Sequence, residues 1–196
     1  GGGIYATERD INGEPVAFGI CAPRIEDNVI AANAAMACGG GIAIVNAPTE
    51  SAPVTNNTIL GNSGSGVCWG HAGPILVNNL IVYNTWGLEQ DVANPQTATI
   101  RSNDVYGNTV HGETTNYFQF ADQTGTNGNI SADPKLVRYG SRRMRLQPSS
   151  PCIGAGDDSA TGAGRVDIDL QARIQGTHVD IGADEADGTS WTDVPA

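Results

Sequence analysis

Basic residues are scarce in this chain. Lys135 is the only lysine beside nine arginines, against 21 acidic residues, for a formal net charge of −11. Neutralising phosphates needs a basic face, so the shortage argues against nucleic acid as a partner. No apolar run reaches the roughly 18–20 residues that cross a bilayer, so no membrane span is expected in this fragment. The three histidines, His71, His111 and His178, lie far apart with no metal-ligand spacing. Long amphipathic helical stretches are missing too, while 26 glycines and many Asn, Thr and Ser residues supply turns. In 196 residues that balance favours one all-β core with frequent corners.

What the sequence does contain is a repeat with a period varying from 22 to 29 residues. Its copies run from Ile25 to Asn33, Val54 to Asn62, Leu76 to Asn84 and Ile100 to Asn108. Aligned on the first asparagine (Asn28, Asn57, Asn79, Asn103), the residue three places before is Ile25, Val54, Leu76 or Ile100. Two places after comes a β-branched residue every time: Ile30, Ile59, Ile81, Val105. Five places after, the column is again asparagine: Asn33, Asn62, Asn84, Asn108. Alternate apolar residues entering a core explain the first and third columns. Unvaried asparagines are expected where equivalent residues stack, each amide donating to the next and satisfying a corner backbone. Asn also tolerates the left-handed backbone that such corners need.

A second repeat follows the first. Gly39-Gly40-Gly41-Ile42 comes after the first copy and Gly66-Val67-Cys68-Trp69 after the second. The spacing therefore predicts a right-handed parallel β-helix over residues 1–109, with residues 110–196 an excursion and C-terminal cap of the same domain. Gly1-Gly2-Gly3-Ile4-Tyr5-Ala6 matches the glycine repeat, and no leader pattern precedes it. The chain is thus expected to be a processed or truncated piece of something longer, beginning inside a coil at Gly1. Four cysteines (Cys21, Cys38, Cys68, Cys152) allow three complete pairings. Cys38 and Cys68 occupy nearly matching points of successive coils and could meet across a spacing of ~4.8 Å. Alternatively, all four are small buried hydrophobes.

After Asn108 the repeat is expected to stop. Asn129-Ile130-Ser131-Ala132-Asp133-Pro134-Lys135-Leu136 leads to Leu146-Gln147-Pro148-Ser149-Ser150-Pro151-Cys152-Ile153-Gly154-Ala155-Gly156-Asp157 and finally to Asp180-Ile181-Gly182-Ala183-Asp184-Glu185. This order resembles the terminal region of right-handed β-helix repeat proteins with a choice-of-anchor Q domain, which belong to the pectin-lyase-like fold. There a "DP" element, an "LxxxSPxIxAGD" element and a "DIGAxE" string close the solenoid. The sequence departs at Asp184, where the family usually has an aromatic, and at Leu170-Gln171, where a Gly-containing turn is common. The resemblance implies a secreted or cell-surface protein, usually bacterial.

Candidate chemistry is thin. Arg24 and Arg101 are the basic residues near the copies, and Glu26, Asp27 and Asp104 the carboxylates, with no aligned acidic cluster of the kind a uronate lyase or hydrolase needs. No catalytic residue is therefore assigned. Asp167, Asp169 and Asp180 belong to the densest acidic set and read as a Ca²⁺ site, or as a cap in which Arg165 and Arg173 pair with Asp180 or Glu185. The cap is preferred. Arg142, Arg143 and Arg145 lie in a short basic run that could hold an anionic polysaccharide, although such runs are more often solvated loops. Trp69, Tyr83, Trp86 and Tyr106 could stack on sugar rings. The outward columns Val29, Thr58, Leu80, Asp104 and Ala31, Leu60, Val82, Tyr106 are unusually apolar and call for a cover, either the excursion between Val110 and Asn129 or another molecule.

Three functions follow as expectations. The first is a non-catalytic extracellular module binding a polysaccharide or a surface protein. The second is a polysaccharide lyase or glycoside hydrolase, and the third a fibre subunit self-associating through the open coil at Gly1.

Overall fold

The computed structural model describes residues 3–6, 23–36, 38–45, 52–93, 95–139, 143–162 and 164–192. Gly1, Cys21 and Arg142, and the side chain of Arg143, lie outside what it describes. Among the described residues the chain is all-β, apart from one 3-10 turn at Asp158–Ala160. Strand β1 (Ile4–Ala6) comes first. The repeat copies then give β2 (Ile25–Glu26), β3 (Val29–Ala31) and β4 (Ile42–Val45); β5 (Pro53–Thr55), β6 (Thr58–Leu60) and β7 (Ser65–Gly70); and β8 (Ile75–Val77), β9 (Leu80–Val82) and β10 (Trp86–Gln90). The fourth copy gives β11 (Thr99–Arg101) and β12 (Asp104–Tyr106). A hairpin, β13 (Thr109–Val110) and β14 (Glu113–Thr114), precedes β15 (Tyr117–Phe118), and β16 (Leu136–Tyr139) pairs antiparallel with β17 (Arg143–Leu146).

Three parallel sheets carry the repeat, ordered β1-β4-β7-β10-β15, β2-β5-β8-β11 and β3-β6-β9-β12. Their register places the sequence columns side by side: Ile25 opposite Val54, Val54 opposite Leu76 and Leu76 opposite Ile100. Ile30, Ile59, Ile81 and Val105 likewise form one row. These residues join Ile42, Val67 and Leu88 in a single apolar interior.

The asparagines form two ladders with one polarity. In the first, the backbone N–H and Nδ2 of each Asn donate to Oδ1 of the next: Asn28 to Asn57, Asn57 to Asn79 and Asn79 to Asn103, at 2.9–3.1 Å. The second repeats the scheme through Asn33, Asn62, Asn84 and Asn108. Each Nδ2 from the second rung on also reaches back to a carbonyl of the rung below, as Asn79 does to Val54 O at 2.7 Å. At the buried rungs, Asn57, Asn79 and Asn103 and Asn62, Asn84 and Asn108, the side-chain amide hydrogens thereby find acceptors away from water.

Three expectations are corrected. The repeat does not stop at Asn108, because Asn116 accepts from Asn108, and Asn129 from Asn103, adding one more rung to both ladders. The chain order of the two columns is reversed there, since the β13–β14 hairpin loops out before Asn116. Nor do the ladder asparagines take the left-handed backbone. Positive φ falls on the residue before each: Asp27, Asn56, Asn78 and Ser102 in one column, Ala32, Gly61, Tyr83 and Gly107 in the other. Finally, the excursion is not the cover over the apolar flank. Leu80 and Val82 are sealed by Leu146, Cys152 and Ile181, with Leu60, Tyr106, Ile130 and Leu136 packed around them. The C-terminal segment is the lid of this flank.

The left-handed positions yield a direct test. Ala32 (φ 57) and Leu170 (φ 68, 81% exposed) carry a side chain where glycine is unstrained. Ala32→Gly and Leu170→Gly are each expected to raise stability by about 0.5–1 kcal/mol, read as a higher urea midpoint.

Glycine is required elsewhere for closeness. A Cβ on Gly66 would lie 2.7 Å from Ile81 Cγ2 and 2.9 Å from Gly87 O, and Gly41 and Gly87 meet the same obstacles one rung away. The β-branched residue and second-ladder Asn of the next rung occupy the space a side chain would need. Gly66→Ala is expected to cost about 1–3 kcal/mol, visible as a lowered thermal midpoint.

Candidate functional site

The C-terminal lid docks through polar groups that local sequence makes available. Asn78 Oδ1 accepts from Asp157 N (2.7 Å), its Nδ2 donates to Asp157 O (3.0 Å), and its carbonyl accepts from Gly182 N (2.8 Å). Thr58 Oγ1 accepts from Ala183 N at 3.0 Å. Gly156 and Gly182 lie against Asn78 and Thr58 respectively, so closely that a Cβ would stand about 3 Å from them. The glycines of the "AGD" and "DIGA" strings are thus contact points with the repeat.

Beneath the lid lie two buried arginines. Arg145, 1% exposed, pairs with Asp184 (3.1 Å) and with Asp169, and lies under the Trp191 ring at 5.7 Å. Arg173, also 1% exposed, pairs with Glu185 (3.2 Å) and donates to Gly182 O (2.9 Å). Arg165 reaches Glu26 and Asp27 of the first copy instead of Asp180 or Glu185. Burial pushes the carboxyls of Asp184 and Glu185 up, to about 7 and about 8, although Arg145 and Arg173 oppose the shift. Asp184 also accepts from Leu146 N at 3.0 Å and thereby anchors β17.

Of the acidic residues considered for Ca²⁺, Asp169 pairs with Arg145 and the other two are engaged with backbone. Asp167 accepts from the amides of Asp169, Gln171 and Glu185, and Asp180 from those of Gly154 and Ala186. Among the described residues no group of three or more His, Cys, Asp or Glu side chains is placed to hold a metal ion.

Asp104 is the most unusual titratable group. It is fully buried in the lid interface, accepting from Ala132 N (3.0 Å) and from the Cys152 thiol (3.3 Å). Burial raises its carboxyl to about 6, and burial together with the Asp104 charge pushes the Cys152 thiol up. Cys38 and Cys68 form a disulfide, while Cys152 is free.

The aromatic candidates separate into different settings. Trp69 is a core residue, 1% exposed, its Nε1 donating to Gln96 O at 3.1 Å. Tyr83 is 46% exposed and meets half-buried Tyr106 edge-on at 6.2 Å. Trp86 stacks on Phe118 at 5.5 Å. Arg145, read as part of a basic surface run, is instead interior. Sequence reasoning passed over Phe120, whose ring stands edge-on to Trp69 at 5.2 Å and to Tyr117 at 5.7 Å. Beside it opens a hollow of about 300 Å³, walled by Ala98 and Ile100 and rimmed by Gln90, Thr97 and Gln123. No regular spacing joins these residues, which come from the end of β10, the β10–β11 connection, β11 and the segment after β15.

Compared with protein-family models, curated proteins and solved structures, the chain finds no match. No helix among the described residues is long and apolar enough to cross a membrane.

Proposed function

We propose that the three parallel sheets wind as one right-handed β-helix closed by a choice-of-anchor Q type segment, and that the molecule is a non-catalytic extracellular module that binds glycans. Right-handed crossovers between parallel strands are the general rule. The motif elements of the closing segment converge on one flank of the repeat, as a solenoid terminus requires. The Cys38–Cys68 disulfide suits an oxidising compartment. Buried carboxylates that accept from backbone amides and arginines are committed to the lid, and Asp104 has no route to a substrate.

What carries the glycan reading is the set of aromatic rings held at or near the surface by mutual packing, Tyr83–Tyr106, Trp86–Phe118 and Phe120. Rigid rings present apolar faces to sugar CH groups at little entropic cost. The test is calorimetry and product analysis with neutral and uronate oligosaccharides. Saccharide binding without turnover is the expected result; cleavage abolished by Arg101→Ala, or no saccharide binding at all, would overturn it.

A further inference from the structure

Resting on that glycan-binding reading, we infer that the hollow beside Phe120 is its seat and that it takes one uncharged sugar residue, a neutral hexose within or at the end of a chain. Its volume of about 300 Å³ suits a single ring with its hydroxyls, not an extended groove-bound polymer. Phe120 is clamped edge-on by Trp69 and Tyr117, at interplanar angles of 68° and 85°, so its exposed part is a fixed platform. The rim is polar in a directed way. Gln90 Nε2 donates to Gln96 O (2.8 Å) and Gln123 Nε2 to Ala121 O (2.8 Å), which orients each amide and leaves its oxygen to accept from a hydroxyl. Thr97 also lines the hollow, beside the apolar wall of Ala98 and Ile100.

Charge decides the class of sugar. Among the described residues no Asp, Glu, Lys or Arg lines the hollow, so a uronate or sulfated ring would lose its hydration with no cation in exchange. The field of a chain with net charge −11 adds repulsion. A neutral ring meets neither cost, and its CH face lies on Phe120 while its hydroxyls meet Gln90, Gln123 and Thr97.

The experiment titrates the full chain by calorimetry with neutral gluco-, galacto- and manno-oligosaccharides and with their uronate counterparts. Ala121→Trp fills the hollow from an exposed position and removes no packed ring; Gln90→Ala removes one rim acceptor. At least one neutral series is expected to bind, its uronate counterpart about tenfold more weakly or worse. Ala121→Trp is expected to lower affinity at least about tenfold, and Gln90→Ala several-fold, with the thermal midpoint retained. Neutral binding that survives Ala121→Trp, or is lost only in Tyr83→Ala, overturns the hollow and leaves the glycan reading standing. Equal binding of the uronates overturns the charge argument. Absence of saccharide binding in the parent chain overturns both, and then points to a protein partner's apolar side chain as occupant.

Discussion

Asn79→Asp is expected to destabilise the protein by about 5 kcal/mol at neutral pH, a large share of the stability of an ordinary domain. The change is nearly isosteric, so packing is untouched and only hydrogen-bond polarity and charge differ. Asn79 is fully buried. Its Nδ2 donates to Val54 O at 2.7 Å and to Asn103 Oδ1 at 3.0 Å, while its Oδ1 accepts from Asn57 N and Nδ2. A carboxylate keeps the accepting side but turns the donating side against two carbonyl oxygens, inside a stack that supplies no cation. Asn103 Oδ1 keeps its bond from the backbone N–H of residue 79, but both acceptors lose the Nδ2 donor and face a carboxylate instead, which costs about 1–3 kcal/mol each, and the uncompensated buried charge adds to it. Two comparisons isolate the cause. Asn28→Asp, at the half-buried first rung, is expected to cost distinctly less, and exposed Asn127→Asp to stay within about 0.5 kcal/mol. Urea denaturation of the three variants measures this; equal losses at Asn79 and Asn28 would mean that ladder burial is not what matters.

The same ladder marks how far the fold was legible in the chain. Asparagine columns could be read because stacking demands the same side chain at every rung, and the register of Ile25, Val54, Leu76 and Ile100 follows from it. The left-handed residue one place earlier could not, because that position tolerates Asp, Asn, Ser, Ala, Gly or Tyr and leaves no repeated letter. The added rung escaped notice since an inserted hairpin puts Asn116 ahead of Asn129, breaking the five-residue spacing on which the repeat was aligned. Gly87 was missed for a related reason: it follows Trp86, not a run of glycines, although it faces Val105 as Gly66 faces Ile81. Arg145 was misplaced because a run of charges reads as solvated, whereas Asp184, 39 residues away, makes it an interior group. The hollow beside Phe120 has no linear signature as a whole, since Ile100 belongs to the repeat while Thr97, Ala98, Phe120 and Gln123 are brought to it by segments of irregular length.

The lid should hold more firmly in acid than at neutral pH, an unusual expectation for a chain so rich in carboxylates. Asp104 carries a folded value of about 6 against an ordinary 3.8, because burial penalises its charged form. Below 3.8 the group is protonated in folded and unfolded chains alike, and its contribution is intact. Between 3.8 and 6 the unfolded chain releases the proton first, so stability falls by roughly 3 kcal/mol and stays low above that window. Asp184 and Glu185, raised to about 7 and about 8, extend the decline in the same direction. Asp133, Asp157, Asp158 and Asp187 are lowered and act with the opposite sign, but they lie near solvent, where the effect is screened. Asp104→Asn separates the buried group from the rest. The amide oxygen still accepts from Ala132 N–H, its NH₂ faces the Cys152 sulfur, and no charge remains to be buried. The variant should match the parent near pH 3 and exceed it by about 2–3 kcal/mol at pH 7.5, with slower amide exchange at Leu146, Cys152 and Ile181. Parallel stability curves for the two proteins across that range would mean that Asp104 does not govern the lid, and would leave Asp184 and Glu185 as the groups through which acid tightens it.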